Sequence, residues 1–300
     1  MVRASVSPQG FIWKLGNAIR TTSQHNKNKP MSALAAPHQI EATIRYVVKG
    51  ERSIFYPADR DRSYWPADEH AMTLTDMRPL QAEISIARNG FALLNHHSAV
   101  KNFFDPMEIG QVFYPEVIAL AQQLNGAQHA IAFGQVARSD DPANKQGRLP
   151  AFGAHVDYGR PTVEEQVRIV LGKQADYWLQ KRMVLMNFWR PITTVYRTPL
   201  ALCDASSVLA TDLHDSEIRG GLDDPNRPPL FGFNLSYNPQ HRWYYVKEMR
   251  PDEMFAFKLY DSDASQPQWT GHTAFTDPET PEGAPPRQSM EVRTISFIDE

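Results

Sequence analysis

Apolar and polar positions along this chain follow mostly the short period of strands, and two stretches carry helical spacing. Residues 43–48, Thr-Ile-Arg-Tyr-Val-Val, predict a strand from their β-branched and aromatic content. Residues 56–66 are rich in turn formers, and residues 90–95 and 129–136 predict two short strands. Residues 106–125 have helical spacing around Tyr114, Val117, Ile118 and Leu120, with Asn125-Gly126 as a stop. Residues 140–150 are polar and predict an exposed loop. A second amphipathic helix is predicted over residues 162–182. Thr162 and Glu165 offer it a capping box, and Val163, Val167, Val170, Leu171, Trp178 and Leu179 form its apolar stripe. Residues 183–189 are nearly all apolar and predict a buried strand closed by Arg190-Pro191. Further strands are predicted over 230–236, 242–246, 254–259 and 288–298. Many strands with few helices predict a β-rich α+β domain over residues 40–300, either a barrel or a double-sheet jelly roll with flanking helices.

Composition narrows the setting. With 300 residues, 42% of them hydrophobic, one large domain can bury a substantial core. A net charge of −3 gives no reason to expect nucleic acid or an acidic membrane as partner. No apolar run has the length to span a bilayer. The single cysteine, Cys203, excludes an internal disulfide framework and fits a reducing compartment; by default it is a small core residue. Residues 1–39 stand apart: they hold no Asp or Glu and carry Arg3, Lys14, Arg20, Lys27 and Lys29. That pattern is similar to a mitochondrial presequence. Its apolar part, Phe11-Ile12-Trp13, is short, so a disordered tail and a cytoplasmic protein are the preferred expectation. Nothing in the sequence indicates an oligomeric state.

Candidate chemistry centres on His155-Val156-Asp157. One His-x-acid tripeptide is about what chance supplies in this composition, so the context must carry the weight. On a strand, His155 and Asp157 point to one face, as two ligands of one ion must. With His272 they make the two-histidine, one-carboxylate set that suits a mononuclear non-haem Fe(II) centre with open positions. On the last predicted strand, Arg287, Ser289, Glu291 and Arg293 alternate along one face. Two arginines in a β-rich core are costly unless they meet anions, and Arg-x-Ser is suited to gripping the far carboxylate of 2-oxoglutarate. The competing reading is a solvent-facing edge strand. Asn187, Trp189, Arg190 and Tyr245 are weaker candidates to line a substrate pocket. Arg190 has an equal structural reading as the partner of an acidic neighbour. Tyr158, next to a ligand, is expected on the opposite side. Lys258 and Asp261 are expected to pair, and His96-His97 to serve as surface or hydrogen-bonding residues.

Several blocks in order carry a family resemblance. They are His155-Val-Asp157-Tyr158, Asn187-Phe-Trp189-Arg190-Pro191-Ile192, Pro199-Leu-Ala-Leu-Cys-Asp204 and His241-Arg-Trp-Tyr-Tyr245. Pro251-Asp-Glu253 with Phe257-Lys258 and Asp261-Ser262 follows, then His272-Thr-Ala-Phe275 and Arg287-Gln-Ser-Met-Glu-Val-Arg293. From about residue 40 to 297 the chain resembles the hydroxylase/desaturase family related to the cephalosporin 7α-methoxylation protein and to gibberellin desaturase-like enzymes. The resemblance implies a double-stranded β-helix fold of the cupin-like jelly-roll kind. It implies oxidation of a small organic molecule with Fe(II), 2-oxoglutarate and O2, often in secondary metabolism. It makes His155, Asp157 and His272 the iron ligands, and Arg287 with Ser289 the 2-oxoglutarate anchor. Arg287 lies fifteen positions after His272, with residues 277–286 inserted between them, so Arg293 is a rival for that role. Two other classes stay open: an iron oxidase independent of 2-oxoglutarate, and a non-catalytic small-molecule-binding β-barrel.

Overall fold

The computed structural model describes residues 36–299 except 145, 222, 223 and 225. In chain order the strands are β1 (Gln39–Val47), β2 (Ser53–Phe55), β3 (Ala67–Asp76), β4 (Phe91–Asn95), β5 (His129–Ser139), β6 (His155–Val156) and β7 (Arg182–Pro191). They continue with β8 (Leu200–Cys203), β9 (Leu213–Ile218), β10 (Leu230–Leu235), β11 (Trp243–Tyr245), β12 (Glu253–Asp261), β13 (His272–Ala274) and β14 (Gln288–Ile298). Nine of them form one sheet in the order β1-β3-β11-β8-β13-β6-β10-β9-β2, and five form a second in the order β4-β12-β7-β14-β5. This is the expected jelly-roll architecture of a double-stranded β-helix. The tail expected over residues 1–39 lies, up to residue 35, outside the described residues, and Gln39 already opens β1.

The five-stranded sheet has two apolar faces, which is why residues 183–189 read as a nearly unbroken apolar run. Met183, Leu185 and Trp189 of β7 join Ile295 and Phe297 of β14 in the core shared with the larger sheet. Val184, Met186 and Phe188 face the other way, with Met290 and Val292, onto Phe103, Phe113, Val117 and Ala121. The Tyr114–Asn125 helix supplies the last two, and Gly126 ends it in the left-handed region, as the Asn-Gly stop predicts.

Three expectations are corrected. The second helix starts at Arg160, not Thr162, with Gly159 at its N-cap. The Thr162 hydroxyl instead accepts from the Phe231 backbone N–H at 2.7 Å and donates to the Phe231 carbonyl at 3.0 Å, tying the helix to β10. The helix also stops at Leu171, because Gly172 takes φ 51°; a 3-10 turn and the short Ala175–Trp178 helix follow, and Val170 is exposed. Finally, β2, β3, β8 and β9 were not predicted. β3 is polar along its first half and pairs with β1 through backbone bonds that hydropathy does not report.

Candidate active site

Register brings the two histidines together. His155 and His272 are direct cross-strand partners where β6 meets β13. Their rings lie 4.3 Å apart. Asp157 falls just beyond β6, and one ligand atom from each of the three residues lies within 4.8 Å of the others. His155 Nδ1 lies 2.7 Å from the Gly153 carbonyl and His272 Nδ1 lies 3.3 Å from the Thr270 carbonyl. A carbonyl only accepts, so each Nδ1 carries the proton and each Nε2 keeps a free lone pair for a metal. Burial, then the His155 charge, pushes His272 down to about 3, so it is a neutral ligand at ordinary pH. Phe257 covers the His272 ring at 4.8 Å.

The charges behind the triad form a ladder. Burial alone would raise the Asp157 carboxyl, but Arg293 and the two histidines hold it well below the usual carboxylate range. Arg293 Nε donates to Asp157 Oδ2 at 3.1 Å and Nη1 to the Gly134 carbonyl at 2.7 Å. Its Nη2 donates to Glu291 at 2.9 Å. Glu291 also accepts from Arg138 at 2.9 Å. Burial again works against the Glu291 charge, but Arg138 and then Arg293 bring it down to about 2. Gly134 makes this geometry possible: its φ of 64° sits beside the bulge where β5 and β14 shift register between Glu291 and Arg293.

Arg287 is placed differently. Its Nη1 donates to the Thr198 carbonyl at 2.8 Å, its Nε to Ser289 Oγ at 3.2 Å, and its guanidinium carbon lies 5.0 Å from the Trp189 ring. Thr198, a β-branched residue at φ 53°, is held there by Asp140, which accepts its hydroxyl at 2.7 Å. The Asp140 carboxylate also pairs with Arg197, not with the Arg287 side chain. Among the described residues no carboxylate lies within ion-pair distance of Arg287, although it is only 1% exposed. Burial and the Arg138 charge push it down to about 9. The edge-strand reading of these arginines is excluded, since β14 lies between β7 and β5.

The weaker candidates divide by face. Asn187 and Trp189 point to the triad side of β7. Asn187 Nδ2 donates to Asp157 Oδ2 at 3.3 Å, and Asn187 Oδ1 and Trp189 Nε1 are buried without a hydrogen-bond partner among the described residues. Arg190 points to the opposite face, by strand alternation. It lies 4.6 Å over the Phe103 ring and donates to His96 and to the Pro191 and Pro251 carbonyls, so it is not part of the pocket. Tyr245 packs edge-on to Phe275, two strands from β13 in the sheet order. Tyr158 corrects the expectation made for it. The chain leaves the strand at Val156, so its ring turns toward Arg293, 5.7 Å away, and stacks with Phe133. Lys258 and Asp261 do pair, at 2.8 Å, and His96 takes part in hydrogen bonding. Sequence reasoning missed Arg138, Gly134 and Thr198; only Gly134, a lone glycine inside a strand pattern, carried a signal, that of a bulge.

A jelly roll holding two histidines and a carboxylate, with a buried arginine lacking an anion, defines the class of mononuclear non-haem Fe(II)/2-oxoglutarate-dependent oxygenases. Residues 42–297 match the family described as oxidoreductase/YMDC permease-like domain, and the chain belongs to that family. It is 28% identical over 240 residues to the Fe(II)/2-oxoglutarate-dependent dioxygenase nvfI of Aspergillus novofumigatus, covering 76% of this chain and 83% of that protein. It is 30% identical over 239 residues to the alpha-ketoglutarate-dependent dioxygenase tstK of Talaromyces stipitatus, covering 75% and 84%. Among solved structures, it superposes on a single-substitution variant of the iron and alpha-ketoglutarate-dependent endoperoxidase NvfI with a TM-score of 0.77 at 25% identity. That match covers 87% of this chain and 98% of the other.

Proposed function

We propose that this protein is an Fe(II)/2-oxoglutarate-dependent dioxygenase that oxidises a small organic molecule in secondary metabolism. His155, Asp157 and His272 hold the metal, and Arg287 with Ser289 holds the far carboxylate of 2-oxoglutarate. The observation that carries the reading is Arg287: a buried guanidinium without a counter-ion among the described residues, directly ahead of the strand whose Arg293 already serves Asp157. Every nitrogen of Arg293 is committed to protein acceptors, which leaves Arg287 as the anchor. When bound, iron and 2-oxoglutarate supply O2 activation, with succinate and CO2 as co-products. The chain's own residues bind, orient and exclude water. The histidine tautomers are set by Gly153 and Thr270, and Phe257 shields one ligand. Hydroxylation, desaturation and ring closure share this machinery; placement of the substrate selects among them. The resemblance to methoxylation and desaturase enzymes supports a small-molecule substrate.

The test is an anaerobic titration of apo protein with Fe(II) and 2-oxoglutarate, following the weak visible charge-transfer band of the chelate. The band is expected in wild type and absent in His272→Ala. Iron binding without a band, with O2 uptake but no succinate, would replace this reading with the oxidase. Absence of iron binding would leave only a binding barrel.

A further inference from the structure

We propose that Arg293 is a positioning residue that occupies Asp157 Oδ2, so that the carboxylate meets the metal through Oδ1 alone. This rests on the function proposed above. Oδ2 lies 3.1 Å from both Nε and Nη2 of Arg293 and 3.3 Å from Asn187 Nδ2. Those donors use the lone pairs that Oδ2 can offer. Each oxygen also faces a histidine beyond hydrogen-bond reach, Oδ1 at 3.7 Å from His155 Nε2 and Oδ2 at 3.8 Å from His272 Nε2, but among the described residues Oδ1 accepts no hydrogen bond and keeps its lone pairs.

Arg293 cannot easily swing away. Gly134 and Glu291 hold its other nitrogens, Arg138 holds Glu291, and the Arg293 Cδ packs 3.5 Å from where a Cβ on Gly134 would stand. A carboxylate that bound through both oxygens would take one more position on the ion. A mononuclear site of this kind works by keeping positions open, and a chelating keto acid needs two of them. Arg293 therefore acts on co-substrate binding indirectly, by reserving a coordination position, whereas Arg287 touches the co-substrate itself.

The two roles separate experimentally. Wild type, Arg293→Met, Asn187→Leu and Arg287→Met would be titrated anaerobically with Fe(II), then with 2-oxoglutarate or with 2-oxobutyrate, a keto acid lacking the far carboxylate. Arg293→Met is expected to keep Fe(II) affinity within a few-fold of wild type, because the freed Oδ2 becomes an extra ligand atom. It should need about tenfold more of both keto acids to form the chelate band, equivalent to about 1.4 kcal/mol. Arg287→Met should lose affinity for 2-oxoglutarate only. Asn187→Leu removes one donor and no charge, so it should weaken both keto acids to a smaller degree at unchanged Fe(II) affinity. It carries the decision if Arg293→Met does not fold. Wild-type chelation of both acids in Arg293→Met or Asn187→Leu overturns the proposal, as does Fe(II) affinity lost with normal chelation by the iron that remains. A wild type that never forms the band overturns the proposed function instead.

Discussion

Replacing Arg287 with methionine should separate two quantities that usually move together: affinity for the co-substrate and stability of the protein. In the absence of an anion the Arg287 charge is unfavourable. Burial, then Arg138, displaces it from 12.5 to about 9, worth roughly 5 kcal/mol against the charged form. An arriving carboxylate recovers part of that, through a charge-assisted pair in a site that Ser289 and Thr198 have already oriented. Truncating one partner of a buried charge pair costs about 2–5 kcal/mol, and Arg287 is taken at the middle of that range. At about 3–4 kcal/mol, Arg287→Met should raise the Kd for 2-oxoglutarate roughly 150- to 1000-fold. The same change removes an unpaired buried charge while keeping an apolar stem beside Trp189. Stability without ligand should therefore hold steady or rise. Isothermal titration with Fe(II)-loaded protein under nitrogen, paired with urea denaturation of the apo form, reads both. An unchanged Kd, or an apo form several kcal/mol less stable, would refute the reasoning and make Arg287 a structural strut.

Other outcomes follow from the same geometry. Glu291 is lowered to about 2, so its folded value lies below its unfolded one. Its contribution is present above about pH 5 and is lost as pH falls toward 2; Glu291→Gln should flatten the acid limb of a stability–pH curve, measured by thermal melts. Gly134→Ala places a side chain at φ 64° against Arg293, which should cost about 1–2 kcal/mol in chemical denaturation and, by disturbing Arg293, raise the 2-oxoglutarate needed to form the chelate. Thr162→Val leaves the Phe231 N–H without its side-chain acceptor, while the Phe231 carbonyl keeps the Gly159 N–H. It should cost about 1–3 kcal/mol of stability with Fe(II) affinity unchanged, and a matching loss of metal would count against the assignment.

What the sequence disclosed depended on whether the determining interaction was local. The β14 boundaries were legible because alternation persists through the strand, and β7 because both its faces are apolar. The triad residues were legible as a set, but the pairing of His155 opposite His272 is a matter of register between segments 117 positions apart. Arg287 and Arg293 look alike in sequence. They differ only in what surrounds them: Asp157 and Glu291 for one, a carbonyl and a hydroxyl for the other. Thr162 has the residue type of a helix cap, yet a β10 backbone 69 positions away claims its hydroxyl. Arg190 was left between pocket and structural roles because alternation tells that it opposes Trp189, but not which face holds the site.

The two-faced character of β7 and β14 also limits how this chain can change in length. A single residue inserted into β14 ahead of Met290 would exchange inward for outward along the strand, presenting Met290 or Val292 to the site and Glu291 or Arg293 to the apolar layer under the Tyr114–Asn125 helix. Insertions and deletions within these strands would disrupt the charged residues behind the metal centre and the outer core at once. The connection across residues 277–286 bears no such restriction, since its register is not shared with a neighbouring strand. The connection between the second histidine and Arg287 can thus change length, so the distance between those two in sequence is free to drift while their distance in space is not.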